Sequence, residues 1–226
     1  MSEFDEISHL DAPLAEKLET YFARLLGRAP EIAHAYADLI ERLKRAGAGG
    51  SALAVGDRMI NFALPDATGR IVTLEEALAK GPLVLSFNRG HWCSFCRLEL
   101  LALSAIEPDL RARNIGLISI TPETARHTSM LAAELDLHFP ILTDIDNGVA
   151  LTANLMIALG ASLTKMLHKS GTDLAGFHGN AAGFLPIPAT YIVAQSGEIV
   201  AAYVDPDFRN RMATDDIFNA LDQLAV

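Results

Sequence analysis

The spacing of apolar side chains divides the chain into an N-terminal helical part and a longer part in which strands and helices alternate. Between residues 10 and 45 apolar side chains recur every three or four positions, which predicts two amphipathic helices. Pro30 stands where the second helix begins, a position that proline favours. Because each helix has an apolar face to bury, we expect a helical hairpin that packs on the main domain or forms a homodimer with another copy of the chain. The two faces consist of Leu10, Leu14, Leu18, Tyr21, Phe22, Leu25 and Leu26 and of Ile32, Ala33, Tyr36, Leu39, Ile40 and Leu43.

A glycine-rich stretch, residues 46–51, separates the two parts. Its composition predicts a flexible linker and a domain boundary, with a helical hairpin extension at 1–50 and a second domain at 51–226. The glycines do not follow the Gly-x-Gly-x-x-Gly spacing of a nucleotide-binding loop, and no predicted strand precedes them. We therefore expect no nucleotide cofactor here.

After residue 51, short apolar runs alternate with helical periodicity, which indicates an α/β fold with a mainly parallel core. The last two strands are separated by a Gln-Ser-Gly turn and add an antiparallel hairpin. The predicted elements are a hairpin over 62–72, a short helix at Leu74–Ala79, strands at Leu83–Phe87 and Ile115–Ile120, a helix between them that ends near Arg113, an extended piece at 140–142, strands at Ala189–Ala194 and Glu198–Val204, and a helix at Thr214–Leu224.

Two regions have weaker patterns. Thr121 and Pro122 are expected to start a helix as its cap and first turn. Residues 155–167 are expected to be helical, and a long loop punctuated by glycines follows to residue 186. That loop is either a plain connection or a gate that brings His178 or Asn180 near the candidate site described next.

The candidate chemistry lies where the first buried strand meets a helix. Gly90 ends the strand, and Cys93 and Cys96 occupy the first turn of the helix. Unpaired amides and the positive end of the helix dipole stabilise a thiolate there, and the thiolate is the nucleophilic form of cysteine. At this spacing the second thiol can close a small disulfide with the first. The pattern therefore favours a redox pair.

Other interpretations of the two cysteines are weaker. They are the only cysteines in the chain, and no pair of histidines has the spacing of a zinc site, so we expect no metal. Two buried structural thiols are a further alternative. A static structural disulfide is less favoured, because closing so small a loop constrains little of the unfolded chain.

Four neighbours of the cysteines are candidate supporting residues. Arg89 and Arg97 bracket the pair, and a guanidinium near a thiol lowers its pKa; the alternative is that both are solvated surface arginines. Trp92 is expected to pack beside the site. His91 is a candidate proton shuttle or an ordinary loop histidine.

Composition and charge narrow the class of protein. The formal net charge of −10 and the lack of a basic stripe argue against nucleic-acid binding. No apolar run approaches the length of a membrane span, and the acidic N-terminus lacks the apolar core of a secretory signal. With only two cysteines, three positions apart, a reducing cytoplasm is the expected location.

Two segments resemble the alkyl hydroperoxide reductase C / thiol-specific antioxidant (AhpC/TSA) family, the peroxiredoxin branch of the thioredoxin-like proteins. They are residues 87–100, with Phe-Asn-Arg-Gly-His-Trp-Cys-Ser-Phe-Cys-Arg, and residues 187–193, with Ile-Pro-Ala-Thr-Tyr. The resemblance covers about residues 52–224 and is strongest to a peroxiredoxin-like subgroup with a Cys-x-x-Cys pair. It implies a thioredoxin-like fold with a central mixed sheet, and a cis peptide bond before Pro188 facing the cysteines; the alternative is a trans proline that opens a strand.

The resemblance also shows departures. Peroxiredoxins of the main branch carry Pro-x-x-x-Thr/Ser-x-x-Cys, and in that register Cys96 is the peroxide-reactive cysteine while Cys93 and Arg89 replace the Thr/Ser and the proline. Pro188 stands near the expected position of a second-site arginine. The register makes Cys96 the attacking residue, whereas helix-start chemistry favours Cys93. Both assignments stay open at this point.

The resemblance implies a thiol-dependent antioxidant enzyme that reduces peroxides. Its cycle would pass through a sulfenic acid and an internal disulfide, which thioredoxin or a low-molecular-weight thiol reduces. The alternatives are a thiol–disulfide oxidoreductase or redox sensor without efficient peroxidase activity, and a binding protein that assembles through its N-terminal helices.

Overall fold

A computed structural model describes residues 2–225 of the chain and shows a mixed sheet flanked by helices. The strands are β1 (Ala63–Pro65), β2 (Ile71–Thr73), β3 (Leu83–Phe87), β4 (Gly116–Thr121), β5 (Ile141–Thr143), β6 (Met156–Ala158), β7 (Phe184–Pro186), β8 (Ala189–Val193) and β9 (Ile199–Val204). The helices are α1 (Glu3–Ser8), α2 (Leu14–Arg28), α3 (Pro30–Arg45), α4 (Leu74–Leu78), α5 (Ser94–Ala112), α6 (Ala125–Glu134), α7 (Gly148–Thr152), α8 (Ala161–Lys169), α9 (Leu174–His178) and α10 (Thr214–Asp222), followed by a 3-10 turn at Gln223–Ala225.

The central sheet has five strands in the order β5-β4-β3-β8-β9. β3, β4 and β5 are parallel, while β8 runs antiparallel to both β3 and β9. Every residue of β3 is buried, because helices cover both faces of the sheet. Val84 belongs to one core and Leu85 to the core on the opposite face. The predicted α/β class, with a mixed central sheet, is confirmed.

The N-terminal helices cover the end of the sheet where the cysteines lie. The Tyr21 ring of α2 packs edge-on against Phe95, with 5.1 Å between ring centroids. Tyr36 of α3 packs in the same way on Phe208. Their apolar faces are thus buried against the rest of the chain and share its core. The division of the chain at residue 50 stays a prediction.

The glycine-rich stretch is more ordered than expected. Residues 46–52 form consecutive hydrogen-bonded turns. The Ala48 amide donates to the Leu43 carbonyl, and the Gly50 amide donates to the Gly47 carbonyl. A Cβ placed on Gly49 would lie 3.2 Å from the Val204 side chain. The prediction of a flexible linker was therefore wrong, since these turns pack against β9.

Three other local predictions also need correction. Thr121 ends β4 through pairing with β5, and the following helix starts at Ala125 with Thr124 as its N-cap. Residues 155–167 are only partly helical, because β6 pairs with β7 before α8 begins. Helix α1 was not predicted, although Ser2 and Asp5 form a capping box that signals its start.

Among the helices of residues 2–225, none combines the length and the apolar composition needed to cross a bilayer.

Candidate active site

The two cysteines lie side by side at the start of α5. Cys93 is the N-cap residue, and its Sγ accepts a hydrogen bond from the Cys96 amide at 3.4 Å. The two sulfur atoms are 2.8 Å apart, and both residues carry free thiols. Helix geometry places an N-cap side chain and the third helical residue on the same side, so this contact follows directly from the Cys-x-x-Cys spacing. Little backbone movement separates the dithiol from a disulfide.

Arg89 is the cation closest to Cys93. It follows β3, is 1% exposed, and its Nη2 donates to Cys93 Sγ at 3.1 Å. The guanidinium also lies over the Phe208 ring, 3.7 Å from its centroid, and 5.2 Å from the Trp92 ring. Aromatic faces and a thiolate are the partners that make a buried guanidinium tolerable. Arg89 is therefore part of the site and not a solvated surface residue.

This environment shifts the pKa values of the two thiols in opposite directions. Burial raises the pKa of Cys93, but the hydrogen bond from Cys96 and the charge of Arg89 outweigh burial and bring that pKa down to about 5. Burial also raises the pKa of Cys96 well above its usual value, and the hydrogen bond and the charge of Cys93 raise it further. At neutral pH the pair is a Cys93 thiolate beside a Cys96 thiol.

Arg211 is a second buried cation that the sequence analysis missed. It lies in the loop before α10, and its Nη2 donates to Cys96 Sγ at 3.4 Å. Its Nε donates to Glu99 at 2.8 Å, and the Thr190 hydroxyl donates to the same carboxylate at 3.2 Å. Burial raises the pKa of Glu99 to about 7, against the lowering effect of Arg211. Glu99 is the sequence signal that could have predicted a second cation. It lies on the apolar face of α5 that must be buried, and a buried carboxylate needs a positively charged partner.

Two predicted supporting residues, Arg97 and His91, lie beside each other, and their side chains point toward α6. Both contact the carboxylate of Glu134, and the distance from His91 Nε2 is 2.5 Å. Arg97 also lies over the Phe4 ring. The structure thus brings neither side chain into contact with the sulfur atoms. These residues tie the active-site loop and α5 to α6 and α1.

The peptide bond before Pro188 is trans, since residues 2–225 contain no cis peptide bond. The predicted cis bond was wrong. The Ile187 amide donates to the Leu155 carbonyl, and β8 begins at Ala189. A trans proline is suited to the position just before a strand because it has no amide to pair.

Glu123 is a buried carboxyl group below the active-site loop. A Cβ on Gly90, whose φ is +94°, would lie 2.1 Å from the Glu123 carboxyl carbon. Burial raises the pKa of Glu123 to about 8, although the nearby backbone amides of His91 and Trp92 lower it. Neither carboxyl oxygen has a hydrogen-bond partner of good geometry among the described residues. The side chain is therefore largely neutral at pH 7. Sequence reasoning placed Glu123 in a helix and missed this position.

A cavity of about 340 Å³ leads to the thiols from the surface. Cys93 and Trp92 line it, whereas Cys96 does not. His178, from the glycine-punctuated region, is buried with its ring 6.5 Å from that of Trp92. Asn180 instead bonds the backbone carbonyls of Ile145 and His178. The cavity gives a small molecule a route to Cys93, although the residue is only 2% exposed.

Known proteins share this sequence and this fold. A prostamide/prostaglandin F synthase from Salmo salar is 28% identical over 169 residues, which cover 70% of this chain and 84% of that protein. The peroxidoxin BcpB from Mycobacterium tuberculosis matches with a TM-score of 0.57 and 18% identity over 76% of this chain and 97% of its own. A cysteine mutant of the peroxiredoxin 6 of Arenicola marina matches with a TM-score of 0.62 and 15% identity over 76% of this chain and 74% of its own. These two structures share the thioredoxin-like fold predicted for this chain.

The family model described as the AhpC/TSA family matches residues 55–202, more than half of the chain. The match contains Cys93, Cys96 and Arg89, while Arg211 and helices α1 to α3 lie outside it. The chain therefore belongs to the AhpC/TSA family and is a thiol-dependent oxidoreductase that reduces peroxides, as the sequence predicted.

Proposed function

We propose that Cys93 is the residue that attacks the peroxide and that Cys96 resolves the product. One observation carries this assignment: Cys93, and not Cys96, both lines the cavity and accepts the Arg89 guanidinium hydrogen bond at 3.1 Å. Its lowered pKa makes it the thiolate of the pair. The main-branch register, in which Cys96 attacks, assigns the reaction with peroxide to a residue that does not line this cavity.

The chemistry takes two steps in the oxidising half of the cycle. The Cys93 thiolate attacks one peroxide oxygen, the O–O bond breaks, and an alcohol or water leaves after taking one proton, so that Cys93 becomes a sulfenic acid. Cys96 then loses its proton and attacks Cys93 Sγ, which forms the disulfide and releases water. Arg211 and the Arg89 amide, 3.4 and 3.3 Å from Cys96 Sγ, stabilise the thiolate that must form there.

Single-cysteine variants test the assignment. With one equivalent of hydrogen peroxide and a sulfenic-acid trap such as dimedone, mass spectrometry should find the adduct on Cys93 in Cys96→Ser. Cys93→Ser should give little or no adduct under the same conditions. A Cys93→Ser protein that traps one equivalent as sulfenic acid on Cys96 contradicts the proposal and restores the main-branch register.

A second candidate is an enzyme whose main reaction is thiol–disulfide exchange, with slow peroxide reduction. The observation that favours it is that Arg89 and Cys93 replace the proline and the Thr/Ser of main-branch peroxiredoxins. Stopped-flow oxidation with hydrogen peroxide and with a bulky organic hydroperoxide separates the two candidates. A second-order rate constant no higher than that of a free cysteine thiolate would favour the exchange enzyme; a much higher one favours the peroxidase.

The remaining expectations belong to this proposal. The reductant is a thioredoxin-type protein or a low-molecular-weight thiol, and a reducing compartment such as the cytoplasm keeps the dithiol in its active form. A homodimer through the N-terminal helices would bury the apolar surface that remains exposed on α2, chiefly Leu26, which is 42% exposed. Size-exclusion chromatography with light scattering, on wild type and Leu26→Lys, tests that dimer.

A further inference from the structure

Nearly half of the residues that line the cavity above Cys93 belong to α2, α3 and the residue between them, outside the region that matches the family. Leu25 of α2 and Ile32 and Tyr36 of α3 form one wall. Leu167 of α8 and the Trp92 ring close the other side. A volume of about 340 Å³ is at the small end of the range for small-molecule sites. The N-terminal helices therefore decide which molecules reach the reactive sulfur.

Among residues 2–225, the packing around Cys93 leaves almost no exposed surface at which another protein could present a thiol. A reductant must approach the attacked sulfur directly along the disulfide bond. Cys93 is only 2% exposed, and Tyr21 and Tyr36, which line the same cavity, are 7% and 8% exposed. A cysteine carried on a folded protein cannot descend between two packed helices without displacing them, whereas a small thiol can enter the cavity.

The cavity carries polar groups that fit an acidic small molecule. Arg28 stands at its edge, where its Nη2 donates to the Tyr21 hydroxyl at 2.8 Å and its Nη1 pairs with Glu3 at the surface. Exposed ion pairs of this kind contribute little, so the guanidinium is free to exchange Glu3 for a ligand carboxylate. The polar residues Ser94, Ser170 and Thr172 also line the cavity, although the Ser170 hydroxyl donates to the Leu167 carbonyl.

We propose that this cavity binds a low-molecular-weight thiol that carries a carboxylate, and that such a thiol, not a thioredoxin-type protein, reduces the Cys93–Cys96 disulfide. The inference rests on the proposed function, because that function produces the disulfide. It goes further by choosing between the two classes of reductant and by giving the N-terminal helices a selective role.

The reduction uses two molecules of the thiol. The first, as thiolate, attacks Cys93 Sγ, the bond between the two cysteine sulfurs breaks, and Cys96 leaves as a thiolate beside Arg211 and takes up a proton. The second attacks the sulfur of the first, which releases a small-molecule disulfide and the Cys93 thiolate. Cys93 is a good leaving group in this step because Arg89 holds its pKa low.

The test starts from protein whose disulfide has been formed with diamide, so that it does not depend on the peroxide reaction. Glutathione serves as the acidic small thiol, and thioredoxin kept reduced by its reductase and NADPH serves as the protein dithiol. Free thiols are counted by alkylation and mass spectrometry in quenched samples. We expect glutathione to reduce the wild-type disulfide faster than thioredoxin does at equal concentration. Equal or faster reduction by thioredoxin overturns the proposal.

Variants of the wall separate cavity access from general reactivity. Ile32→Trp fills the cavity and is expected to slow reduction by glutathione by about tenfold or more. Glu31→Trp, the neighbouring exposed position on α3, is the matched control and should react like wild type. An unchanged rate in folded Ile32→Trp overturns the proposal.

A second variant keeps the test decisive if Ile32→Trp does not fold. Arg28→Gln should lower the ratio of the glutathione rate to the rate with uncharged 2-mercaptoethanol by about tenfold, since one charge-assisted hydrogen bond is lost. An unchanged ratio overturns the acidic class of ligand. Failure of the proposed function is recognised separately, as a diamide-formed disulfide that hydrogen peroxide does not produce.

Discussion

The guanidinium of Arg211 lies 3.4 Å from the sulfur of Cys96, although 115 positions separate the two residues in the chain. The same guanidinium bonds Glu99, one helical turn beyond Cys96 on α5. Arg211 is thus a positioning residue that connects the resolving thiol to a buried carboxylate. Together with Arg89 it gives the dithiol two cations from segments that are far apart in the chain.

Removal of Arg211 is expected to destabilise the protein strongly. Arg211→Met leaves Glu99 buried without its cation, a change that costs about 3–5 kcal/mol in the free energy of unfolding. Arg211→Met/Glu99→Met should recover most of that loss, because no buried charge stays unpaired. Urea unfolding of the reduced proteins measures both effects.

The control for Arg211 is Arg113→Gln, which breaks a surface ion pair with Asp222 and should change stability by no more than about 1 kcal/mol.

In the stable double variant, closure of the disulfide after peroxide attack should be slower than in wild type, since Cys96 loses a donor. A double variant that closes its disulfide at the wild-type rate would limit Arg211 to a structural role.

Substitution of Arg89 is expected to raise the pKa of Cys93. In Arg89→Gln the thiolate loses its closest cation, and its pKa should rise from about 5 toward the ordinary value of about 8.5. Thiolate absorbance at 240 nm, followed from pH 4 to 10 in the Cys96→Ser background, measures the shift. Arg89→Lys should fall between the two, because lysine retains the charge but loses the planar stacking on Phe208. An unchanged titration in Arg89→Gln would leave the hydrogen bonds from position 96 and the charge of Arg211 responsible for the low pKa.

The stability of the reduced protein should rise with pH in a way that depends on Cys93. Its pKa is lower in the folded protein, about 5, than in the unfolded chain, so its contribution to stability grows as pH rises from 5 to about 9 and is lost as pH falls through 5. The slope approaches about 1.4 kcal/mol per pH unit within that interval. Urea unfolding of reduced wild type and Cys93→Ser at several pH values gives the difference.

Two features make this comparison specific. Glu99 titrates in the same range with a raised pKa, which acts in the opposite direction, but it is present in both proteins and largely cancels in the difference. The disulfide form also lacks the thiolate and should resemble Cys93→Ser in its pH dependence. Parallel curves for reduced wild type and Cys93→Ser would contradict a low Cys93 pKa.

Gly90→Ala should be far more damaging than an alanine at an ordinary turn glycine. The new Cβ would meet the carboxyl group of Glu123 at 2.1 Å, and both groups are constrained because Glu123 is fully buried and the preceding Arg89 amide donates to Cys96 Sγ. Gly69 is the matched control, since its φ is also positive, +88°, but nothing lies within 4 Å of its Cβ. Gly69→Ala is expected to cost about 1–2 kcal/mol. Thermal unfolding of both variants measures the difference, and equal losses would exclude the Glu123 contact as its cause.

Much of the fold could be read from local pattern. The strand at 83–87, the helix that begins beside Cys93 and the hairpin at 189–204 lie where the apolar spacing predicted them. The errors are at places where tertiary pairing overrides local preference. Thr121 and Pro122 look like a helix start, but pairing with β5 keeps Thr121 in a strand. In the same way, pairing with β7 makes a strand of residues 156–158 within an apolar stretch that has helical spacing.

The sequence alone determined that a Cys-x-x-Cys pair follows a buried strand and starts a helix, because hydrophobic period and helix-start chemistry depend only on neighbouring residues. Tertiary structure decided which cations reach the sulfurs: it brought Arg211 to Cys96 and directed Arg97 to Glu134 instead. It also placed α2 and α3 over Cys93 and so shaped the cavity. Such contacts depend on how distant elements pack and in which direction each long side chain points, and no local pattern records either.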